Sequence, residues 1–329
     1  MPGCELRNDA RNQLVHGPLE YTPSVFTPNA HHEDGRIIIA SSNLTGRYWN
    51  GSLWCFPNVH DAPDVEKCLT GIEVASGICD LVHFNENKVA LGLDSGSLDV
   101  YKLDSEPPLF TWTFGACEHD DFISSLSLNS NKSSLITAGA DHCVKIWDVE
   151  TWSTYATYRP VHAGIIWQVS NSTEDPHLFV TCGQDAKILL FDTRLPKPAT
   201  LIDNNPLKGE VTSVAWKPCS ANLFAAGDES GQVVIKDIRT NNSLCSFHSH
   251  KRRIFRLLFS CSGSWLASCA DDTAVCLMDV EKENPDLIYR DDSHQDFIRG
   301  MTWSPENHLI TCGWDKKVIK HVFDINVSC

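Results

Sequence analysis

The sequence predicts an all-β fold, a seven-bladed β-propeller, from one repeated pattern and from the spacing of its copies. The clearest copy is LITAGADHCVKIWD, residues 135–148, in which an apolar stretch and a turn around Asp141 lead to an alternating strand that closes on Trp147 and Asp148. Similar segments recur about every 44 residues, a spacing typical of propellers in which each repeat supplies four short strands. The seven copies end near residues 57, 102, 148, 192, 237, 279 and 322.

Each repeat also carries a second strand signal ahead of this pattern, such as FISSLSL, VTSVAWKP, IFRLLFS and FIRGMTWSP. These segments alternate or are almost wholly apolar, as expected of strands that are buried on one or both faces. A ring of seven blades accounts for residues 1–329 as a single domain. Because the last copy ends near residue 322, we expect the N-terminal segment, residues 1–35, to supply the outer strand that closes the ring.

Polar residues recur at fixed places in the repeats and predict a structural network. The third copy holds His119, Thr137, Asp141 and Trp147 at the positions of the hydrogen-bonded tetrad that is typical of WD repeats. Such a network satisfies buried polar groups and fixes a loop to a turn. Partial versions recur in three other copies, as His162, Thr181 and Asp185, as His250, Ser268 and Asp272, and as His294, Thr311 and Asp315.

Catalysis by these residues is the alternative, because a histidine, a hydroxyl and an aspartate also make up a hydrolytic triad. Their repetition around the ring favours the structural role. The sequence has no nucleophile elbow, phosphate-binding loop, dinucleotide turn or close Cys/His ligand spacing. The run His31-His32-Glu33-Asp34 could attract a metal, but a solvated loop is the better explanation. We therefore expect a protein without catalytic residues, metal or cofactor, whose surface binds other proteins.

The cysteines and the hydropathy indicate an intracellular protein. Fourteen cysteines are scattered singly, show no pairing pattern and follow no secretory signal, which predicts reduced thiols. Triplets such as Asn43-Leu44-Thr45 are then chance glycosylation motifs. No apolar run approaches the length of a membrane span, so we expect no membrane partner.

The charge balance narrows the class of partner. With 27 basic and 42 acidic residues, the net charge of −15 disfavours nucleic acids and favours basic proteins. Acidic side chains concentrate in two sets of loops on one face, although charged turns also serve simply to keep a β protein soluble. Lys251, Arg252 and Arg253 interrupt this face. The residues predicted to bind a basic substrate are Glu118, Asp120, Asp121, Asp228, Glu229, Asp291 and Asp292, with Asp271 and Asp296 nearby.

The first copy has a longer turn than the others. Its extra residues lie within NLTGRYWNG, residues 43–51, and place Arg47, Tyr48 and Trp49 between Gly46 and Gly51. Tryptophan and arginine are enriched at the energetic centres of protein interfaces, so this loop is the best candidate for docking on a partner. The alternative is that the loop folds back onto its own propeller.

Four segments are more specific than the repeat as a whole: ASSNLTGRYWNGSLW, EHDDFISS, LLFDTRLPKPA and WSPENHLITCGWDKKVIKHV. Within them, the loop after Ser42 and the stretch DTRLPKPA lie outside the generic WD pattern. On these segments the chain resembles the methylosome protein 50 family, the WD-repeat subunits that work with protein arginine methyltransferase 5. The resemblance spans all seven copies, and the N-terminal region is less alike.

The resemblance implies a non-catalytic cofactor that binds the N-terminal barrel of the methyltransferase through its first blade, with Trp49 and Arg47 entering the enzyme. It also implies Arg-rich substrates, such as histone tails and Sm proteins, and a location in the cytoplasm and the nucleus. The methyl donor S-adenosylmethionine would belong to the partner. A generic WD-repeat adaptor, such as a histone-binding chaperone or a ubiquitin-ligase substrate receptor, is the alternative, and it would not need the loop around Trp49.

Overall fold

The computed structural model describes residues 22–28, 35–45, 48–84, 87–195, 200–202, 206–240, 243–282 and 285–323, with the backbone alone for residues 22–28, 43–45 and 48–49. Within these residues, 27 strands form seven antiparallel sheets, each made of strands that follow one another in the sequence. The predicted seven-bladed β-propeller is confirmed, and each sheet is one blade.

The first strand of each blade lies innermost. These strands contact one another in a closed circle, from the first blade to the seventh and back to the first. In blades two to seven, the inward side chains of these strands therefore line a central channel. The innermost strands are β1 (Thr22–Pro28), β5 (Ile78–Phe84), β9 (Ile123–Leu128), β13 (Ile166–Asn171), β17 (Val211–Trp216), β21 (Ile254–Phe259) and β25 (Ile298–Trp303).

The second and third strands are mostly buried on both faces, because each blade is packed between two neighbours; the third strand of the seventh blade is the exception, with only His321 buried. They consequently read as nearly continuous apolar runs. The second strands are β2 (Ile37–Thr45), β6 (Lys88–Leu93), β10 (Ser134–Gly139), β14 (Leu178–Gly183), β18 (Leu223–Asp228), β22 (Trp265–Ala270) and β26 (Leu309–Gly313). The third strands are β3 (Tyr48–Phe56), β7 (Ser97–Ser105), β11 (Val144–Asp148), β15 (Ile188–Asp192), β19 (Gln232–Asp237), β23 (Val275–Asp279) and β27 (Val318–His321).

The fourth strands form the outer rim, and several of them alternate between exposed and half-buried residues. They are β4 (Thr70–Val74), β8 (Pro108–Cys117), β12 (Thr154–Tyr158), β16 (Thr200–Ile202), β20 (Ser243–His248) and β24 (Asp286–Asp291). Two 3-10 turns, Val59–Asp61 and Val65–Lys67, join β3 to β4. In the described part of the chain, no disulfide forms and no helix is long and apolar enough to span a membrane.

The hydrophobic core is divided into seven clusters, one at each junction between neighbouring blades. Burial of this apolar area is the main force that holds the blades together. At the junction of the seventh and first blades, Ile310 and Cys312 pack against Ile37, Ile39 and Trp54. The ring is therefore closed by side-chain packing between these two blades.

The described N-terminal residues do not form the outer strand that was expected to close the ring. Strand β1 pairs with β2, so it is the innermost strand of the first blade. Among the described residues the seventh blade has three strands, β25, β26 and β27. For Thr22–Pro28 the expectation of an outer strand is wrong, because these residues complete the first blade. Residues 1–21 and 29–34 lie outside the described residues, and for them it stays a prediction.

Hydrogen bonds also connect neighbouring blades near the channel. In four consecutive pairs of blades, a side chain on one innermost strand accepts a bond from a backbone N–H of the next innermost strand. Each bond satisfies a buried donor that would otherwise be costly to bury. The pairs are Asp80 with Leu126 (2.8 Å), Ser125 with Val169 (3.3 Å), Gln168 with Val214 (3.2 Å) and Ser213 with Leu257 (2.8 Å).

Candidate protein-binding face

The structure brings together the four residues of the predicted tetrad in the third blade. His119 Nδ1 lies 3.0 Å from the carboxylate of Asp141, in the turn after β10. His119 Nε2 lies 2.7 Å from the Thr137 hydroxyl, which also accepts a hydrogen bond from the Trp147 indole at 3.1 Å. Because an ionised carboxylate only accepts, Nδ1 carries the ring proton and Nε2 accepts from Thr137. Every polar group in this chain of bonds is thus satisfied.

The tetrad aspartate also determines the backbone of its turn. Asp141 accepts bonds from the backbone N–H of Asp120 at 3.2 Å and of Cys143 at 3.1 Å, and so joins the preceding loop to the turn. The bond to Cys143 spans two residues and holds the intervening His142 in the left-handed region, at φ 63°. Equivalent positions after the other tetrad aspartates are Ala186 (φ 60°), Thr273 (φ 63°) and Lys316 (φ 63°).

The other predicted copies have the same geometry. Their histidines reach the aspartate and the hydroxyl at 2.8–2.9 Å: His162 with Asp185 and Thr181, His250 with Asp272 and Ser268, and His294 with Asp315 and Thr311. In the fourth blade Phe191 takes the position of the tryptophan and stacks on Phe179, with ring centroids 4.5 Å apart.

The sequence reasoning missed one member of the seventh tetrad. His321 pairs with Leu309 in the sheet as Trp147 pairs with Leu135, and its Nε2 lies 2.8 Å from the Thr311 hydroxyl. Its other ring nitrogen lies 3.2 Å from the Tyr289 hydroxyl. Residue-by-residue alignment of the third and seventh copies would have found it, since His321 follows Leu309 at the spacing that separates Trp147 from Leu135.

The geometry favours the structural role of the tetrads over catalysis. The side chains of His119, His162, His250 and His294 are fully buried and all hydrogen-bonded. Burial acts to raise the pKa of Asp272, but hydrogen bonds from His250 and from the backbone N–H of Lys251 lower this pKa to about 2. Such a carboxylate is a permanent hydrogen-bond acceptor at neutral pH.

Replacing Asp141 with alanine is expected to lower the free energy of unfolding by about 1–3 kcal/mol, because the buried His119 ring and the backbone N–H of Asp120 and Cys143 lose their acceptor. Thermal or urea unfolding measures the effect. Asp120→Ala is the matched control, since the side chain of Asp120 is 65% exposed. Equal stability of the two variants would contradict the role given to Asp141.

Acidification is expected to destabilise the seventh blade through His321. Burial lowers the pKa of His321 to about 4, below its ordinary value of 6.5, despite the nearby Asp291 carboxylate. Because the unfolded chain then binds the proton more tightly, this stabilisation is complete above pH 6.5 and is lost as the pH falls towards 4, by about 3 kcal/mol in total. Urea unfolding between pH 7.5 and 4 measures the loss.

His321→Gln supplies the control for this pH dependence, because glutamine keeps an N–H donor for Thr311 and does not titrate. The variant is expected to lose less stability over the same pH range, by the amount that His321 contributes. An identical pH dependence in both proteins would show that His321 is not the titrating group.

The first blade carries an extended hairpin in place of the short turn found elsewhere. Strands β2 and β3 have nine residues each, against six and five in the third blade. They stay paired up to Thr45 opposite Tyr48, whereas β4 accompanies β3 only to Gly51. Residues 43–45 and 48–50 therefore extend beyond the sheet as a two-stranded ribbon, by about 10 Å at the rise of a β-strand.

The docking residues predicted for a loop are thus partly on a strand. Tyr48 and Trp49 belong to β3, and Trp49 pairs with Leu44. Arg47 and the side chains of Tyr48 and Trp49 lie outside the described part of the chain. Gly51 is needed where the ribbon leaves the sheet, because a Cβ there would stand 2.6 Å from the carbonyl oxygen of Ser76.

Five predicted acidic residues are exposed on the face that carries the tetrad loops and turns; we call them the acidic rim. Three of them are partly neutralised. Asp120 contacts Arg159, Asp292 lies 3.1 Å from Arg290, and Glu118 lies 3.5 Å from Lys145. The acidic rim consists of Glu118, Asp120, Asp121, Glu229 and Asp292.

Two other residues predicted to bind a basic substrate instead make hydrogen bonds within their own blades. Asp228 is fully buried, so its assignment to an accessible acidic face is wrong. It accepts bonds from the backbone N–H of Lys208 (3.1 Å) and Ser230 (2.9 Å), and so joins a loop to a turn in a blade without a tetrad histidine. Asp291 is half-buried and accepts bonds from the Tyr289 hydroxyl at 3.0 Å and the Ser293 N–H at 2.8 Å.

No cluster of three or more His, Cys, Asp or Glu residues suited to a metal ion occurs among the residues that the structure describes. The run from His31 to Asp34 lies outside them.

The fold and the tetrads define a WD-repeat protein. In agreement with this, the family model for the WD domain, G-beta repeat, matches residues 109–148, 241–279 and 286–319. A chain from the crystal structure of the mitotic checkpoint complex has the same fold, with a TM-score of 0.75, 16% identity and 96% of both chains covered.

Methylosome protein WDR77 of Xenopus laevis is 34% identical over 294 residues, which cover 88% of this chain and 87% of that protein. The chain therefore belongs to the WDR77 family of methylosome proteins, and the resemblance inferred from the sequence is confirmed. A shorter match, 27% identical over 164 residues, is to histone acetyltransferase type B subunit 2 of Candida glabrata and covers 48% of this chain and 38% of that protein.

Proposed function

We propose that this protein is a non-catalytic WD-repeat scaffold of the methylosome. It binds a type II protein arginine methyltransferase and presents Arg-rich substrates, such as histone tails and Sm proteins, for symmetric dimethylation. Membership of the WDR77 family supports the assembly, and the hairpin that projects from the first blade carries the docking assignment. The protein works in the cytoplasm and the nucleus, where such substrates are made and used.

The hairpin suits docking on a folded partner. Its backbone is held by β2–β3 pairing, and it extends beyond the cover of β4. A ribbon of this kind inserts into a pocket with little loss of backbone entropy, because its conformation is already fixed. Trp49 and Tyr48 on this ribbon supply the aromatic area, and Arg47, which precedes Tyr48 in the sequence, supplies a charged group for the rim of the pocket.

The buried tetrads support the non-catalytic role. Their histidines have no exposed side-chain surface, and their hydroxyls already take part in hydrogen bonds. A substrate cannot reach these groups without unfolding a blade. Methyl transfer is therefore assigned to the partner, which also binds S-adenosylmethionine.

The acidic rim supports substrate presentation by long-range attraction. Asp120 and Asp292 have side chains that are 65% and 63% exposed, so their charges act mainly through solvent. Charges in such positions raise the rate of association more than they strengthen the final complex, and salt screens them. Basic tails are therefore concentrated near the partner's active site without being held tightly.

Neutralising Asp120, Asp121, Glu229 and Asp292 together, as Asn and Gln, is expected to slow association of a histone H4 tail peptide with the complex. The rate constant should fall by about threefold to tenfold at low ionic strength, and by less at 0.5 M salt. Stopped-flow fluorescence with a labelled peptide measures it.

The matched control neutralises four exposed glutamates at the opposite ends of the strands, Glu106, Glu150, Glu174 and Glu306, as Gln. This variant has the same net charge, so it isolates the position of the charge. If both variants slow association equally, the net charge rather than the acidic rim attracts the substrate.

Affinity capture of the tagged protein from cells, followed by mass spectrometry and a methylation assay, tests the proposed function. We expect co-purification of a type II arginine methyltransferase and symmetric dimethylation of a histone H4 peptide by the complex, with none by the isolated protein. Capture of histones without any methyltransferase would favour a histone-binding chaperone, the alternative to which the match with the acetyltransferase subunit points.

A further inference from the structure

A cavity of about 290 Å³ opens at the mouth of the central channel, on the face that carries the tetrad loops. In blades two to seven, a β-bulge at the start of the innermost strand leaves one residue unpaired and redirects its side chain. All six of these residues line the cavity: Cys79, Ser124, Trp167, Thr212, Phe255 and Arg299. The small ones come from blades two, three and five, and the large ones from blades four, six and seven.

Three of the four aromatic rings that line this cavity are already covered by the protein's own guanidinium groups, the exception being Phe122. Arg299 lies over Phe255 at 4.4 Å and over Trp314 at 4.8 Å from the ring centroids. Arg253 lies over Trp167 at 4.0 Å. At these three rings the cation–π site that could hold a methylated lysine or arginine is therefore occupied, and a cationic ligand would also meet like charges.

Two of the three arginines in the cavity wall are paired with carboxylates. Arg256 lies 3.4 Å from Asp80, across the channel, and Arg299 lies 2.9 Å from Asp271. These pairs cancel two of the positive charges in the wall. A ligand charge would therefore interact chiefly with the remaining arginine.

Arg253 is the remaining arginine. Its Nε is buried and has no hydrogen-bond partner among the described residues. The carboxylates of Asp271 and Glu210 are nearby, but Asp271 pairs with Arg299 and Glu210 accepts a bond from the Trp167 indole at 3.1 Å. A ligand in the cavity, which Arg253 lines, therefore meets this guanidinium through its Nη groups, whose charged hydrogen bonds to a carboxylate are stronger than those to a neutral acceptor.

We propose that the mouth of the channel binds an acidic peptide, with one carboxylate accepting hydrogen bonds from Arg253. A single unpaired guanidinium matches a singly charged carboxylate better than a phosphate dianion, which would need a second cation. The planar guanidinium bonds a carboxylate through two parallel N–H groups, and Trp167 beneath it fixes its plane. The central cavity thus selects acidic segments of a partner, whereas the acidic rim attracts basic ones.

Fluorescence anisotropy with a fluorescein-labelled hexaglutamate peptide and the full chain tests this proposal. We expect binding at low ionic strength that a hexaglutamine peptide does not show. Arg253→Gln should weaken it by about tenfold, the effect of losing a charged hydrogen bond, and Arg253→Lys by less. Arg252→Gln is the matched control, because it removes the same charge from the exposed neighbouring residue and should change affinity by less than about threefold.

A second measurement uses only the wild-type protein, so it does not depend on whether a variant folds. A hexaglutamate peptide with a benzophenone group is expected to cross-link wild-type protein at Trp167, Phe255 or Trp314, located by mass spectrometry. Three results would each overturn the proposal. The first is equal weakening by Arg252→Gln and Arg253→Gln, and the second is cross-links confined to other surfaces. The third is binding of a hexaphosphoserine peptide that is tighter than its extra charge explains.

Discussion

Replacing Trp49 with alanine is expected to weaken the complex with the arginine methyltransferase by roughly 30-fold to 1000-fold, because an indole buried at the centre of an interface contributes about 2–4 kcal/mol. Trp49 belongs to the part of β3 that does not pair with β4, so we expect the propeller to fold without it. Arg47→Ala should cost less, unless its guanidinium is fully buried and paired in the partner. Surface plasmon resonance with immobilised methyltransferase measures the affinity.

The controls separate docking from folding. Tyr155→Ala removes an aromatic ring that is 55% exposed on the outer rim, and it should leave the affinity unchanged. Trp49→Ala should keep the melting temperature of the wild type. A lower melting temperature with unchanged affinity of the folded fraction would mean that Trp49 packs on its own propeller, and the generic adaptor would then be the better description.

Replacing Asp80 with alanine is expected to lower the free energy of unfolding by about 3–5 kcal/mol, the usual cost of removing one partner from a buried ion pair. The side chain of Asp80 is 4% exposed and lies 3.4 Å from Arg256, which belongs to the sixth blade. The same carboxylate accepts a bond from the Leu126 N–H of the third blade. One residue of the second blade therefore connects three blades, and urea unfolding measures its loss.

Two further variants separate the parts of this effect. Asp80→Asn keeps an acceptor for Leu126 but removes the charge that Arg256 needs. Asp80→Leu combined with Arg256→Met removes both charges, and should be less destabilising than the sum of the single changes by about 1–3 kcal/mol. Strict additivity of the single changes would mean that the two side chains do not interact.

The fold could be predicted from the sequence because each repeat carries the same local signals. Each copy carries its own strand alternation and its own turn, and His119, Thr137, Asp141 and Trp147 lie at spacings that make the tetrad recognisable. The closing strand was misplaced for a physical reason. A blade needs an innermost strand ahead of its second strand, and for the first blade only residues before Ile37 are available, so Thr22–Pro28 cannot also serve the seventh blade.

Side-chain burial was harder to predict than strand order. Asp228 lies in an acidic turn, DES, and reads as a surface residue, but the loop at Lys208 folds over it and supplies a backbone donor. The pair Asp80 and Arg256 is separated by 176 residues and meets only because the ring closes. The cavity depends likewise on bulged residues from six repeats, and no single repeat reveals it.

Hydrogen–deuterium exchange of the protein, alone and in complex with a type II arginine methyltransferase, tests the docking claim most directly. We expect binding to slow exchange most strongly at residues 43–51, with smaller changes elsewhere in the first blade. Unchanged exchange at residues 43–51 together with strong protection on another blade would contradict it.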